Sequence, residues 1–309
     1  MKVVIPFVQI DAHNPNLSSR NFSSALNTYF KCIIVAFASL RQCNPNLKLQ
    51  LTTNLEVKEP YKDQLNKLNV DIKIVKYIHN PPSEFGETFR GCFYLFDAII
   101  AENEDVLYID PDVFCVGSIP LDFFEDCVIG ALDLQFADIK VINGISPVEA
   151  RKIYSQLLTK HVGKSHKHFG GEAIYISQSI KNSLVSDIDK LWIANISASK
   201  KGEKFLTTEE HILSLIFSNY SITNLDFLIL RIWTTTRYRK IEGGIFEKQN
   251  PILWHLPSEK SFGFHKAYQL ILNNKLFRYN SELASRNYYR KIFGIDRSIV
   301  SKLFNRMLS

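Results

Sequence analysis

An α/β fold, with a mostly parallel sheet covered by helices on both faces, is predicted by three observations. The chain opens on an apolar strand, Lys2–Val8. Strand-like and helix-like segments alternate from there as far as Asp110. The run Asp105-Val106-Leu107-Tyr108-Ile109-Asp110-Pro111-Asp112-Val113-Phe114 is continuously apolar before its acids, as a strand buried on both faces must be. With 309 residues, 46% hydrophobic and 12% aromatic, the chain can bury a large core and is not a disordered sequence.

After the first strand, Ser18 or Ser19 caps a helix whose apolar positions Phe22, Leu26, Tyr29, Ile33, Phe37 and Leu40 recur every three or four residues, and Pro45 ends it. Leu47–Thr53 is a second strand, Pro60 opens a helix through Leu68, and Val70–Lys76 is a third strand. Beyond the Pro-rich loop His79–Ser83, the stripe Phe89, Phe93, Phe96 and Ile100 marks a helix on which Arg90 and Tyr94 are neighbours. It leads into the central strand. Later come a strand Val128–Leu132, a strand opened by Phe169-Gly170-Gly171-Glu172, a helix starting at Glu209-Glu210 behind Thr207-Thr208, and a short apolar strand Ile252–Leu256 holding His255.

Asp110 and Asp112, two apart at the end of an extended run and separated by Pro111, lie on one side of the chain and can face a single ligand. Like charges this close repel unless a cation sits between them, and a hard divalent ion that also takes phosphate oxygens suits them. Asp187-Ile188-Asp189 has the same spacing, but Ser186 before it and Lys190-Leu191-Trp192 after it read as a helix N-terminus. His166 and His168, in a polar stretch, read as solvated loop histidines and not as a metal pair.

The segment from Arg90 to Val116, a helix followed by Val-Leu-Tyr-Ile-Asp-Pro-Asp-Val, resembles the donor site of GT-A glycosyltransferases, most nearly the retaining bacterial galactosyl- and glucosyltransferases of the glycogenin-like type. The likeness spans roughly Met1 to Lys260 and rests on three short motifs. It implies a GT-A (Rossmann-like) fold and hexosyl transfer from a nucleotide diphosphate sugar, a UDP-sugar first, to a glycan hydroxyl in surface polysaccharide or lipopolysaccharide synthesis. By the same resemblance Asp110, Asp112 and His255 hold Mn2+ or Mg2+, and Phe7 and Asp11 touch the base or ribose. Arg90 and Lys260 face the diphosphate. Gly171 and Glu172 face donor sugar and acceptor, as does the Gly-Gly-Glu element of related families. Glu209-Glu210-His211-Ile212-Leu213-Ser214 stands where the retaining enzymes carry a sugar-binding acid followed by the proposed nucleophile, with Ser214 in place of their usual Asn. Glu210 is then the catalytic carboxylate of a retaining enzyme, with Glu172 the general base if the reaction inverts. A catalytically silent sugar- or polyanion-binding module is the alternative outside enzymology. Nucleotidyl transfer is disfavoured because Ile10–Ser19 has neither glycine nor lysine.

Net charge is +6, yet the segment from Phe264 to Ser309 carries nine basic and two acidic residues, so the remainder is close to neutral. Residues 1–263 read as the catalytic domain and 264–309 as a basic helical tail. Ile299, Val300, Leu303, Phe304, Met307 and Leu308 form one apolar face flanked by Arg297, Lys302 and Arg306, with Phe277, Tyr279, Tyr288, Tyr289 and Phe293 as interfacial aromatics. Such a tail suits the anionic inner face of a membrane and a lipid-linked glycan acceptor, the alternative being that its apolar face docks on the catalytic domain. No nucleic-acid partner is expected, since the catalytic portion is not basic. No apolar run reaches eighteen residues and no signal peptide is apparent, so a cytoplasmic location is expected. The five cysteines form no CxxC pair and read as reduced thiols.

Overall fold

The structure is a computed structural model, described over residues 1–10, 22–86, 89–134, 141–158, 167–234, 251–279 and 281–295. The strands are β1 (Lys2–Phe7), β2 (Lys48–Thr53), β3 (Val70–Ile74), β4 (Val106–Ile109), β5 (Val113–Cys115), β6 (Ile129–Asp133), β7 (Phe169–Ile176), β8 (Ile222–Asn224), β9 (Ile229–Arg231) and β10 (Leu253–His255). The helices are α1 (Phe22–Cys43), α2 (Tyr61–Lys67), α3 (Tyr94–Ala101), α4 (Pro147–Leu158), α5 (Lys181–Lys200), α6 (Glu209–Phe217), α7 (Gly263–Leu272) and α8 (Glu282–Ile292).

Among the described residues seven strands form the main sheet in the order β3-β2-β1-β4-β7-β6-β8. β1, β2, β3 and β4 pair in parallel, while β7 runs antiparallel to both β4 and β6. The alternation of side chains explains why the first strands are apolar throughout. Val3, Ile5 and Phe7 with Leu107 and Ile109 enter one core, against α1, α7 and the second sheet. Val4 with Val106 and Tyr108 enters the other, against α3, α5 and α6. Fully burying each such side chain contributes about 1.5–3 kcal/mol.

The second sheet, β5-β10-β9, positions the site. β10 lies antiparallel to β5 with His255 opposite Val113, and parallel to β9 with His255 opposite Arg231. Three residues distant in sequence, Asp112, Arg231 and His255, are thereby brought to one end of the parallel strands. This is where α/β sheets carry their ligands.

The structure revises several expectations. Arg90 lies in a 3-10 turn before α3, and Phe89 adopts a left-handed conformation (φ 62°), so neither is on the helix itself. Asp187 and Asp189 fall inside α5, whose start is set by the turn at Gln178–Ile180 capped by Ser177. Asp187 there accepts a hydrogen bond from the Tyr220 hydroxyl. α7 and α8 pack on the catalytic core: Phe264 and Phe293 are fully buried, and Tyr289 meets Phe114 on β5 edge-on while Phe293 meets it at a tilt. Tyr289 and Phe293 are therefore core residues and not interfacial aromatics. The apolar face at 299–308 and Asp11 lie outside the described residues. Among the described residues one helix, Ser23–Cys43 within α1, has the length and composition of a membrane span, and 56% of its apolar 18-residue window is buried inside the protein.

Candidate active site

Asp110 ends β4 and its amide donates to the Glu172 carbonyl on β7, while the Val113 amide donates back to the Asp110 carbonyl, closing a tight turn. The turn aims Asp110 and Asp112 toward β10. There His255 Nε2 stands 3.4 Å from an oxygen of each aspartate. The ligand atoms of all three residues lie within 4.8 Å of one another. Two carboxylate oxygens and one imidazole nitrogen on fixed strand ends fit a hard or borderline divalent cation such as Mg2+ or Mn2+.

Lys260, expected on the diphosphate, is buried beside the aspartates and its Nζ donates to Asp112. A buried ammonium needs a carboxylate partner, and the turn Pro257–Glu259 after β10 delivers it to this one. Burial works against charge on Asp112, but Lys260 and His255 prevail and hold its carboxyl well below the usual range. Asp110 is pushed the other way, by the desolvation of its inward side and by the Asp112 charge, against the opposing pull of His255. His255 is disfavoured as a cation by burial, yet Asp112, Glu172 and Asp110 raise it above its ordinary value.

A second cluster adjoins the first. Glu209 and Glu210 begin α6 behind Thr208, whose hydroxyl bonds His211 Nδ1 at 2.8 Å and does not cap the helix. Glu210 Oε1 accepts from the Gly171 amide at 3.0 Å and from Arg231 Nη2 at 3.0 Å, and Asn143 Nδ2 donates to its Oε2 at 2.8 Å. Burial opposes the Glu210 charge, but Arg231 and then His168 outweigh it and depress its carboxyl well below the usual range. Glu209 is raised by burial and by the Glu210 charge beside it. The two glycines make room for this arrangement. A Cβ on Gly170 would lie 2.0 Å from Glu172 Oε2, and one on Gly171 would lie 2.9 Å from Glu209 Oε1 and 3.3 Å from Glu210 Cγ. Ser214 accepts the Phe169 amide and fixes the start of β7 to α6.

The structure thus brings together Asp110, Asp112, His255 and Lys260, and beside them Gly171, Glu172, Glu209 and Glu210. Glu172, expected as a base or sugar contact, is fully buried with both oxygens on Arg231, so it has no open face for an acceptor hydroxyl. Phe7, expected against a base, packs edge and face on Phe30 and Tyr29 and is 8% exposed. Arg90 donates to Asn80 Oδ1 and the Pro81 carbonyl, holding the loop before α3 and not the carboxylate clusters. His168 is fully buried with Nε2 3.5 Å from Glu210 Oε2, not solvated; His166 lies outside the described residues. Arg231 and Asn143 were not singled out. The clue to Arg231 is a lone charge inside Leu228-Ile229-Leu230-Arg231-Ile232-Trp233, a run too apolar to leave it unpaired.

No protein-family model matches the chain, and neither does any curated protein. Solved structures do match. An active-site mutant of LgtC is 12% identical, with a TM-score of 0.53 over 92% of this chain and 99% of that one. The galactosyltransferase LgtC in complex with donor and acceptor sugar analogues is 12% identical, at a TM-score of 0.49 over 95% of each chain. Mouse xyloside xylosyltransferase 1 in its apo form is 13% identical, at 0.48 over 82% of this chain and 96% of that one. The first of these likenesses is one of fold: the chain has the GT-A glycosyltransferase fold.

Proposed function

We propose that this protein is a divalent-metal-dependent glycosyltransferase that moves a sugar from a nucleotide diphosphate sugar, UDP-linked by preference, to a glycan hydroxyl with retention of configuration. The observation that carries the reading is the convergence of Asp110, Asp112 and His255 at the carboxyl ends of the parallel strands, beside an ionised and anchored Glu210. Asp110, Asp112 and His255 would hold Mn2+ or Mg2+, which when bound would supply Lewis-acid neutralisation of a leaving diphosphate. Lys260 keeps the Asp112 carboxylate charged and adds positive charge where the leaving group becomes negative. Glu210 presents a carboxylate to the positive centre that develops on the sugar. Glu209, beside Glu210 at the start of α6, is the sugar-binding acid. The burial of Glu172 favours retention over an inverting route that would need it as base. The basic tail at 264–309, read from sequence, holds the enzyme on an anionic membrane surface near a lipid-linked acceptor through its apolar face at 299–308.

A thermal-shift screen of UDP-, GDP-, CMP- and dTDP-sugars, with and without Mn2+, tests the reading. Stabilisation by a UDP-sugar that requires Mn2+, followed by UDP release when an acceptor is added, is the expected result. Indifference to every sugar nucleotide in the presence of Mn2+ contradicts it, and binding without release leaves a silent binding module.

A further inference from the structure

Arg231 on β9 ties Glu172 on β7 to Glu210 on α6. It reaches from β9, Nε donating to Glu172 Oε1 at 2.9 Å and Nη2 to Glu172 Oε2 at 2.6 Å, while Nη2 also donates to Glu210 Oε1 at 3.0 Å. The fork matches a carboxylate in two bonds, a geometry that lysine cannot reproduce. Its partners come from a strand of the main sheet and from the first turn of α6, so three elements meet at one guanidinium. Glu172 is fully buried, and the only cation in hydrogen-bond range of its oxygens among the described residues is Arg231. The glycine at 170 is required by the same device, since any side chain there would displace the Glu172 carboxylate.

From this geometry we infer that Arg231 is a positioning residue for Glu210, and that Glu172 is the anchor that fixes Arg231 and takes no direct part in the reaction. The inference rests on the glycosyltransferase reading for its catalytic half and on the ion-pair geometry alone for the other. Arg231 is also the first of the groups that offset burial and keep Glu210 ionised. An arginine held on one side by a carboxylate with no freedom to move leaves Glu210 a single orientation, with Gly171 and Asn143 completing its bonds. Misplacing such a group by about 1 Å costs about 100-fold in rate without loosening substrate.

The test is a double-mutant cycle of Arg231→Met and Glu172→Gln in the full chain, with Arg231→Lys beside it, read by thermal melting and by initial rates with a UDP-sugar and Mn2+. Arg231→Met alone leaves Glu172 buried without a counter-charge and should lower the melting temperature by about 5 °C or more. Adding Glu172→Gln should restore most of that loss. In the double variant kcat should nevertheless stay about 100-fold down, with donor KM within about threefold of wild type. Arg231→Lys should recover part of kcat, because an ammonium can face Glu210 but cannot also grip Glu172 in two bonds. A refolded double variant with wild-type kcat overturns the positioning role, and so does a variant whose loss lies in KM. Additive melting shifts overturn the anchor. Should wild-type protein turn over no donor, the glycosyltransferase reading fails with the catalytic half of the inference, while non-additive melting still supports the anchor.

Discussion

The aspartate pair at the end of β4 and the glutamate pair at the start of α6 lie side by side, and in each one member is held toward its charged form by a cation from later in the chain, buried in the first case and partly exposed in the second. Lys260 does this for Asp112 and Arg231 for Glu210, while Asp110 and Glu209 are pushed toward protonation. The wiring differs. Lys260 is a point charge on one oxygen, and His255 Nε2 faces the same aspartates, so oxygen and nitrogen donors stay directed at a common point. Arg231 takes both Glu172 oxygens and one Glu210 oxygen into one fork, so Glu210 is fixed in orientation while Glu209 beside it is not held by the guanidinium. Identical charges thus acquire different chemistry from the shape of the cation that balances them.

Removing single carboxylates should separate the two clusters most sharply. Asp110→Asn, at a partly exposed side chain, should lower turnover about 1000-fold with little change in melting. Asp112→Asn should lose turnover equally and also cost about 3 kcal/mol of stability, because Lys260 is left buried without its partner. Melting curves for the two variants check the distinction; equal stabilities would mean that Lys260 is not held by Asp112. At the other cluster Glu210→Gln should lower kcat about 100-fold with donor KM within about threefold, and proton NMR of the first product from wild-type protein should show the donor's own anomer. The opposite anomer would remove Glu210 as the catalytic carboxylate.

Smaller effects follow from the glycines. Gly170→Ala collides with Glu172, which Arg231 prevents from moving, and should cost about 2–3 kcal/mol. Gly171→Ala meets the movable end of Glu209 and should cost about 1 kcal/mol. Urea midpoints in which Gly171→Ala is the worse of the two would contradict the anchor at Glu172.

The smallest effect on turnover is expected at the opposite end of the strands, where Lys2 bonds Glu102, and Gln50 and Lys73 bond it too. Burial raises the Glu102 carboxyl, but these three donors reverse the shift and leave it below the ordinary value. Its stabilisation is therefore complete above about pH 4.5 and is lost as pH falls through the folded value. Lys2, disfavoured by burial and raised by Glu102 and Glu104, contributes fully below about pH 10.5 and less as pH rises through its folded value. Glu102→Gln should flatten the acid limb of stability against pH, measured by urea midpoints, with turnover per folded molecule unchanged. A variant that keeps the wild-type acid limb would contradict the assignment.

The first four strands and α1 are legible in sequence because burial on both faces leaves long apolar runs and a clear helical period. Asp110 and Asp112 stand out for the same reason, as acids at the end of such a run. β5, β8, β9 and β10 are three residues each, too short for any period, and β9 carries Arg231. The start of α5 was misread because Ser186 before two aspartates imitates a cap, whereas the operative cap is Ser177 ahead of a 3-10 turn. His168 was misread because its neighbours are polar. Only the fold shows that it lies under α6, where His211 packs against it.

Calorimetric titration of UDP in the presence of Mn2+ tests the division between the two clusters most directly. Wild-type protein and Glu210→Gln should bind with the same affinity, and Asp110→Asn should bind about 100-fold more weakly. Normal binding by Asp110→Asn together with loss of binding by Glu210→Gln would contradict it.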